Sequence, residues 1–331
     1  MTADRADPAG SPADPAVRRA AGVKQAAASR LRAYPHVTGV GVGFKEVGGV
    51  RTDQVAIRVY VDRKLPRAQL PAADVLPELV EGVPVDVIEA RFEVHGGPDP
   101  AEHRRRHNPM TGGISVGNAV LGGSGTLGGS VFDRRTRQDL ILSNWHVLCG
   151  SLSCAAGEPI IQPGTGGGDQ GTPADLVGRL HRSVISNRVD GAVARLSGHR
   201  FLRRDLLNQG SFAGTTGPVL GAEVRKSGRT TGATEAVITD VSADVDVRGY
   251  PQGTLAFVDQ IVIENGNPSA PGDSGSLWVD RSDRVVGLNF AGSPGRAIAN
   301  PIGDVIGALD IDLDNGISMQ HFLAATIPFV P

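Results

Sequence analysis

Pro271-Gly272-Asp273-Ser274-Gly275-Ser276-Leu277-Trp278 is the stretch on which the reading of this 331-residue chain turns. A serine inside Gly-Asp-Ser-Gly, with a loop before it and an apolar strand after it, is a candidate activated nucleophile. The flanking glycines permit a tight turn that projects the Ser274 hydroxyl. They also let the amides of Gly272 and Ser274 point at one spot, where the oxyanion of a tetrahedral intermediate would sit. Such a serine needs a base, and the base needs an orienting carboxylate.

Both partners have candidates upstream. In Leu140-Ile141-Leu142-Ser143-Asn144-Trp145-His146-Val147-Leu148 an apolar strand runs into a histidine. His146 is therefore expected at a strand end on the rim of a core. In Asn187-Arg188-Val189-Asp190-Gly191-Ala192-Val193-Ala194-Arg195-Leu196 a single carboxylate interrupts an apolar strand. A buried aspartate of this kind is costly unless it is hydrogen-bonded, for instance to an imidazole. Alone, each motif reads equally well as a turn, a packed histidine or a strand-opening aspartate. Three such accidents in the order His, Asp, Ser are a different matter.

Taken together, these segments resemble the chymotrypsin/trypsin-like serine proteases, especially the compact bacterial, streptogrisin-like branch. Val224-Arg225-Lys226-Ser227-Gly228-Arg229-Thr230-Thr231-Gly232 is similar to a strand and turn of that branch. Val285-Val286-Gly287-Leu288-Asn289-Phe290-Ala291-Gly292 resembles the strand lining its substrate cleft, and Ala299-Asn300-Pro301-Ile302 its last barrel strand. Gly123-Ser124-Gly125-Thr126-Leu127-Gly128 resembles the opening strand. The likeness runs from about residue 112 to 313.

The resemblance implies a mainly β fold of two packed antiparallel six-stranded barrels, with the active site between them. Barrel one would span 112–205 and barrel two 215–313. It implies Ser274 as nucleophile, His146 as general base and acid, Asp190 as its orienter, and an oxyanion hole at Gly272 and Ser274. Asp273 would be structural, often paired in the family with an N-terminal ammonium released on activation. Gly113-Ile114-Ser115-Val116-Gly117 faintly resembles such an N-terminus. Neither metal nor cofactor is implied, and the substrate would be a polypeptide. Ser276 replaces a commoner glycine, and Asn144-Trp145 replaces a small pair; neither change removes a catalytic atom.

The pocket base lies six residues before the serine in the family, which gives Pro268, then Ser269. Phe290, Ala291 and Gly292 would form a wall. With no carboxylate at the base, a restricted apolar pocket is expected, or one for acidic side chains should Arg296 point inward. The remaining alternative is a non-catalytic or autoinhibited binding or regulatory protein that keeps the protease fold.

Composition fits many short strands joined by turns: Gly 45, Pro 22 and 4% aromatic residues. A formal net charge of −2 gives no global field for nucleic acid or membranes. No run approaches the ~18 apolar residues of a membrane helix. Met1 to Ala20 is polar and Ala/Pro-rich without a signal-peptide pattern, so the expectation is cytoplasmic, with secretion by another route left open. Reduced loop thiols are accordingly expected at Cys149 and Cys154, against a disulfide in an oxidising compartment.

Upstream of the barrels, residues 1–20 read as a disordered tail and 21–95 as a small α+β module. The module has a helix over 23–33, a hairpin from Val37-Thr38-Gly39-Val40-Gly41-Val42-Gly43-Phe44 through Gly48-Gly49 to Val55-Ala56-Ile57-Arg58-Val59-Tyr60-Val61, and a strand at 83–88. It would serve homo-oligomerisation or docking over the cleft. Its placement resembles intracellular trypsin-like proteins with an extra N-terminal module, including the narrow-leaf growth regulator of rice. The 96–111 linker carries the run His103-Arg104-Arg105-Arg106-His107, expected to be solvated. Gly164-Thr165-Gly166-Gly167-Gly168-Asp169 is expected to be a mobile surface loop. The 314–331 segment holds a short helix at 318–325.

Overall fold

The computed structural model describes residues 14–48, 50–90, 92, 101–198 and 200–313. The N-terminal module consists of helix α1 (Pro15–Arg32), the β1 (Val37–Val47) and β2 (Val50–Val61) hairpin, and strands β3 (Leu79–Val80) and β4 (Val83–Glu89). The helix starts eight residues before the expected 23, inside the stretch read as a tail. Asp14 accepts the Ala16 amide as N-cap, Pro15 opens the first turn, and Arg30 and Arg32 sit in the last. Its buried positions Val17, Ala20, Lys24, Ala27 and Leu31 follow helical periodicity, with a lysine in the middle of the stripe. Residues 1–13, Gly49, 96–100 and 314–331, with the helix expected at 318–325, lie outside the described residues.

The first barrel comprises β5 (Met110–Gly112), β6 (Ser115–Asn118), β7 (Gly125–Thr126), β8 (Gly129–Asp133), β9 (Asp139–Ser143), one-turn helix α2 (Trp145–Leu148), β10 (Pro159–Ile161), β11 (Leu176–Ile185), β12 (Asp190–Leu196), β13 (Leu202–Leu206) and β14 (Gly210–Ser211). The second comprises β15 (Glu223–Gly228), β16 (Gly232–Tyr250), β17 (Gly253–Glu264), β18 (Leu277–Asp280), β19 (Val285–Ser293) and β20 (Arg296–Pro301), followed by helix α3 (Ile302–Leu309) and β21 (Ile311–Asp312).

In the second barrel the order β15-β18-β19-β20-β17-β16 closes on itself through the β15–β16 pairing, so six strands form a ring. The first remains an open half-barrel, in the order β21-β8-β9-β12-β11-β10-β6-β7, with a small β14-β13-β5 sheet beside it. One apolar cluster bridges the two, joining Leu140, Leu142 and Val193 to Leu277, Val279 and Leu288, with α3 supplying Val305 and Leu309.

The module shares a sheet with the second barrel, because β1 pairs with the long strand β16. The alternating glycines of β1 make this close approach possible. A Cβ at Gly41 would lie 1.8 Å from Asp240 Oδ2, and one at Gly43 2.2 Å from the Thr239 carbonyl. Val40 and Val42 fill the opposite, buried side of the strand. Asp240 then accepts the Val42 amide at 2.9 Å and the Tyr60 hydroxyl at 3.0 Å. From α1, Lys24 Nζ reaches Asp244 of β16 at 2.8 Å and Asp259 of β17 at 3.4 Å, and Arg32 pairs with Asp246.

Two segments expected to be solvated or mobile are instead docked. His103 is buried, with Nε2 3.1 Å from Ser227 Oγ, while Arg106 reaches Asp175 at 3.1 Å. Arg104 bonds Asp169 in the glycine-rich loop, and Arg229 binds the same carboxylate at 2.7 Å. Asp169 is therefore the counter-ion that fixes both segments, a tertiary partnership invisible to local composition.

Candidate active site

Asp190 opens β12 and is fully buried. Its amide donates to Asn300 Oδ1 at 3.0 Å, and its carbonyl accepts Asn144 Nδ2 at 2.7 Å, so its backbone is pinned from both sides. His146 Nδ1 lies 2.5 Å from Asp190 Oδ2, and the His146 amide donates to Oδ1 at 3.2 Å. His146 itself sits on the one-turn helix α2, which follows β9 after an extended Asn144.

Ser274 stands on the Gly-Asp-Ser-Gly loop, 5% exposed. Its Oγ donates to the Phe290 carbonyl at 3.2 Å. His146 Nε2 is buried with no hydrogen-bond partner among the described residues. Histidine and aspartate are thus joined, and the serine hydroxyl is parked on the neighbouring strand β19. Apo geometry of this kind does not disqualify a nucleophile–base pair, because such contacts tighten when substrate binds.

Glycine is required on both sides of the serine. Gly272 has φ 98° and Gly275 φ 99°. A Cβ would fall 2.3 Å from Thr230 Oγ1 at the first and 2.2 Å from Ser143 Oγ at the second. The loop is then tied down: Thr126 donates its amide to the Ser274 carbonyl at 2.7 Å and its hydroxyl to the Gly272 carbonyl at 2.8 Å. Thr230 Oγ1 donates to the Pro271 carbonyl at 2.8 Å.

Asp273 is the loop's anchor. It accepts the amides of Thr230 at 2.8 Å, Thr231 at 3.0 Å and Ala270 at 2.9 Å, and the Thr231 hydroxyl at 2.7 Å. Burial works to raise its carboxyl, but Lys226 and these hydrogen bonds hold it below the ordinary carboxylate range. The Lys-Ser-Gly-x-Thr-Thr-Gly segment therefore supplies the counter-ion and three of these four donors. Lys226 stands beside Asp273, 3.2 Å from Oδ2. Ile114 is fully buried next to β6, and the Gly113 amide donates to the Leu127 carbonyl at 2.7 Å.

The expected pocket residues Pro268, Ser269, Phe290, Ala291 and Gly292 are all buried. Asn289 Nδ2 donates to Ser269 Oγ at 3.0 Å. The Phe290 ring packs on Phe257 of β17 at 4.7 Å between centroids. Arg296 does not serve an acid pocket: it binds Glu264 at 2.5 Å and the Glu89 carbonyl at 3.0 Å, tying β20 to the N-terminal module.

Cys149 and Cys154 form a disulfide just behind α2, contrary to the expectation of reduced thiols. Gly150, at φ 61°, turns the chain so that the two Cα atoms stand 5.4 Å apart, within bonding range.

Sequence reasoning gave no site role to Thr126, Asn144 or Asn300 and did not single out Tyr250 at all. Tyr250 lies in Gly249-Tyr250-Pro251-Gln252-Gly253, which reads only as a turn. Its hydroxyl nevertheless lies 2.5 Å from Asp190 Oδ2.

Comparison with known proteins adds the following. Residues 23–90 match the NARROW LEAF 1 N-terminal domain. No curated protein matches the chain. Similar solved structures include the Nocardiopsis protease NAPase, at 21% identity over 62% of this chain and 98% of that one, TM-score 0.46. Thermobifida fusca Protease A gives 21% identity over 62% and 99%, TM-score 0.47. Cellulomonas bogoriensis chymotrypsin gives 20% over 62% and 98%, TM-score 0.44. The chain itself folds as a closed six-stranded ring and an open half-barrel that share one apolar cluster. Among the described residues no helix is long and apolar enough to cross a membrane.

Proposed function

We propose that this protein is a serine endopeptidase working through an acyl-enzyme intermediate. The observation that carries the reading is the His146–Asp190 pair beside a Gly-Asp-Ser-Gly loop whose two glycines are sterically required. In the reaction, His146 Nε2 takes the Ser274 proton as Oγ attacks the substrate carbonyl. The Gly272 and Ser274 amides receive the developing oxyanion. The imidazolium then gives its proton to the leaving amine, and Asp190 stays ionised throughout, holding the tautomer. Water, activated by His146 in the same way, attacks the acyl-enzyme and releases the acid.

Catalysis requires Ser274 to leave the Phe290 carbonyl and turn to His146. That parked hydroxyl, together with the buried pocket residues, also supports a second reading: an autoinhibited or non-catalytic protein that keeps the fold. Digestion of a peptide library separates them. The proposal expects cleavage after small or apolar residues, because no carboxylate lines Pro268, Ser269, Phe290, Ala291 and Gly292. Strong cleavage after Lys or Arg would contradict the pocket assignment. Absence of turnover, restored by no truncation or activator, would favour the second reading.

A further inference from the structure

We propose that Tyr250 is the positioning residue of the Asp190–His146 pair, delivered by a β-hairpin that the N-terminal module braces. The inference rests on the hydrolytic reading of the site. Three donors converge on the Asp190 carboxylate. Oδ1 accepts the His146 amide, while Oδ2 faces both His146 Nδ1 and the Tyr250 hydroxyl, each at 2.5 Å. A carboxylate held from both oxygens cannot rotate about its side-chain bond, so its direction toward the imidazole is set.

The Tyr250 ring adds a second constraint. It meets the imidazole edge-on, with centroids 5.9 Å apart and planes at 88°, and it packs against Trp145 at 6.4 Å and Phe257 at 5.8 Å. The hydroxyl fixes the carboxylate and the ring confines the imidazole. Burial, then the adjacent Asp190, raises the phenol well above its ordinary range, so it remains a neutral donor.

The hairpin accounts for the module. Tyr250 ends the 19-residue β16, whose first half belongs to the barrel. The second half projects beyond the barrel as a two-stranded ribbon with β17, where Tyr250 pairs with Gly253. Ribbons of that kind are marginal alone. Here β1 pairs alongside it at Asp240, Asp244 and Val245. Lys24 and Arg32 of α1 hold Asp244 and Asp246 from outside. The module thus steadies the strand that carries Tyr250 to the triad.

Tyr250→Phe, in the full-length protein, keeps the ring and removes only the hydroxyl. Inactivation by a fluorophosphonate probe, resolved into a maximal rate and a half-saturating concentration, should slow in maximal rate by roughly ten- to a hundredfold, as expected for a hydrogen bond to a charged group. The half-saturating concentration should stay unchanged. In proton NMR, the downfield His146 Nδ1–H resonance should shift or broaden in the variant. Tyr250→Leu, which also loses the edge-on ring contact, should be slower still. An unchanged maximal rate in Tyr250→Phe would overturn the proposal. Should the wild-type protein fail to label, the hydrolytic reading falls and the resonance alone decides: perturbed in Tyr250→Phe, it upholds positioning; unperturbed, it overturns it.

Discussion

Lys226 Nζ lies 3.2 Å from Asp273 Oδ2, and both side chains are fully buried. This pair anchors the Gly-Asp-Ser-Gly loop from within the chain: β15 brings the cation, and the turn after it brings Thr230 and Thr231 to the same carboxylate.

Breaking the pair should be costly. Lys226→Met leaves a buried carboxylate without its cation and should reduce stability by about 3–5 kcal/mol. Urea unfolding at neutral pH measures this, and a loss below about 1 kcal/mol would show that the Thr and amide donors suffice. The pH dependence has a definite sign. A carboxyl held down in the folded state contributes stability above its unfolded value near 3.9 and loses it as pH falls below that. In Lys226→Met the carboxyl is held down less, so less stability should be lost as pH falls below about 3.9.

Asp240, at the seam of module and barrel, behaves oppositely. Burial pushes its carboxyl up to about 6, with hydrogen bonds from Ser242 and Val42 and the Arg58 charge working against it. An acid whose folded value is raised is favoured when protonated, so stability should fall as pH rises from about 4 to 6 and level off above. Asp240→Asn should flatten that slope in chemical denaturation run across the same window; an identical slope would assign it to other groups.

Gly41→Ala should undock β1 from β16. The new methyl would meet Asp240 Oδ2 at 1.8 Å, and Asp240 cannot retreat because Val42, Ser242 and Tyr60 all hold it. A loss of roughly 3 kcal/mol is expected, at the upper end of overpacking costs. Gly22→Ala, where nothing lies within 4 Å of the added atom, is the matched control and should not destabilise.

Much of the candidate site was legible because its chemistry sits in short, strongly patterned runs. Ser274 between glycines, His146 after an apolar strand and Asp190 inside another each break a local pattern, and such breaks mark sites where chemistry overrides packing. What stayed hidden depends on partners far along the chain. Tyr250 sits in a Gly/Pro turn, and its partner Asp190 is 60 residues away. Arg104 looks solvated until Asp169 folds over it. The early start of α1 was obscured for a different reason: the Asp14-Pro15 cap lies in an Ala/Pro-rich stretch whose composition resembles a tail. The alternating glycines of β1 announced a strand but not the neighbour that needs their missing side chains.

The disulfide gives a simple chemical test. Because Cys149 and Cys154 are the chain's only cysteines, protein folded under oxidising conditions should show no free thiol without reductant. Replacing both with serine should cost about 2 kcal/mol for so short a loop. Two titratable thiols in the folded protein would contradict the bond.

The central claim is that His146 activates Ser274. Purified full-length protein should be labelled by a fluorophosphonate probe, with the adduct mapped to Ser274 by mass spectrometry. Labelling should vanish in Ser274→Ala and fall at least a hundredfold in His146→Ala, in line with the loss of a general base. Wild-type protein that takes up no probe, or His146→Ala protein labelled as fast as wild type, would contradict the account.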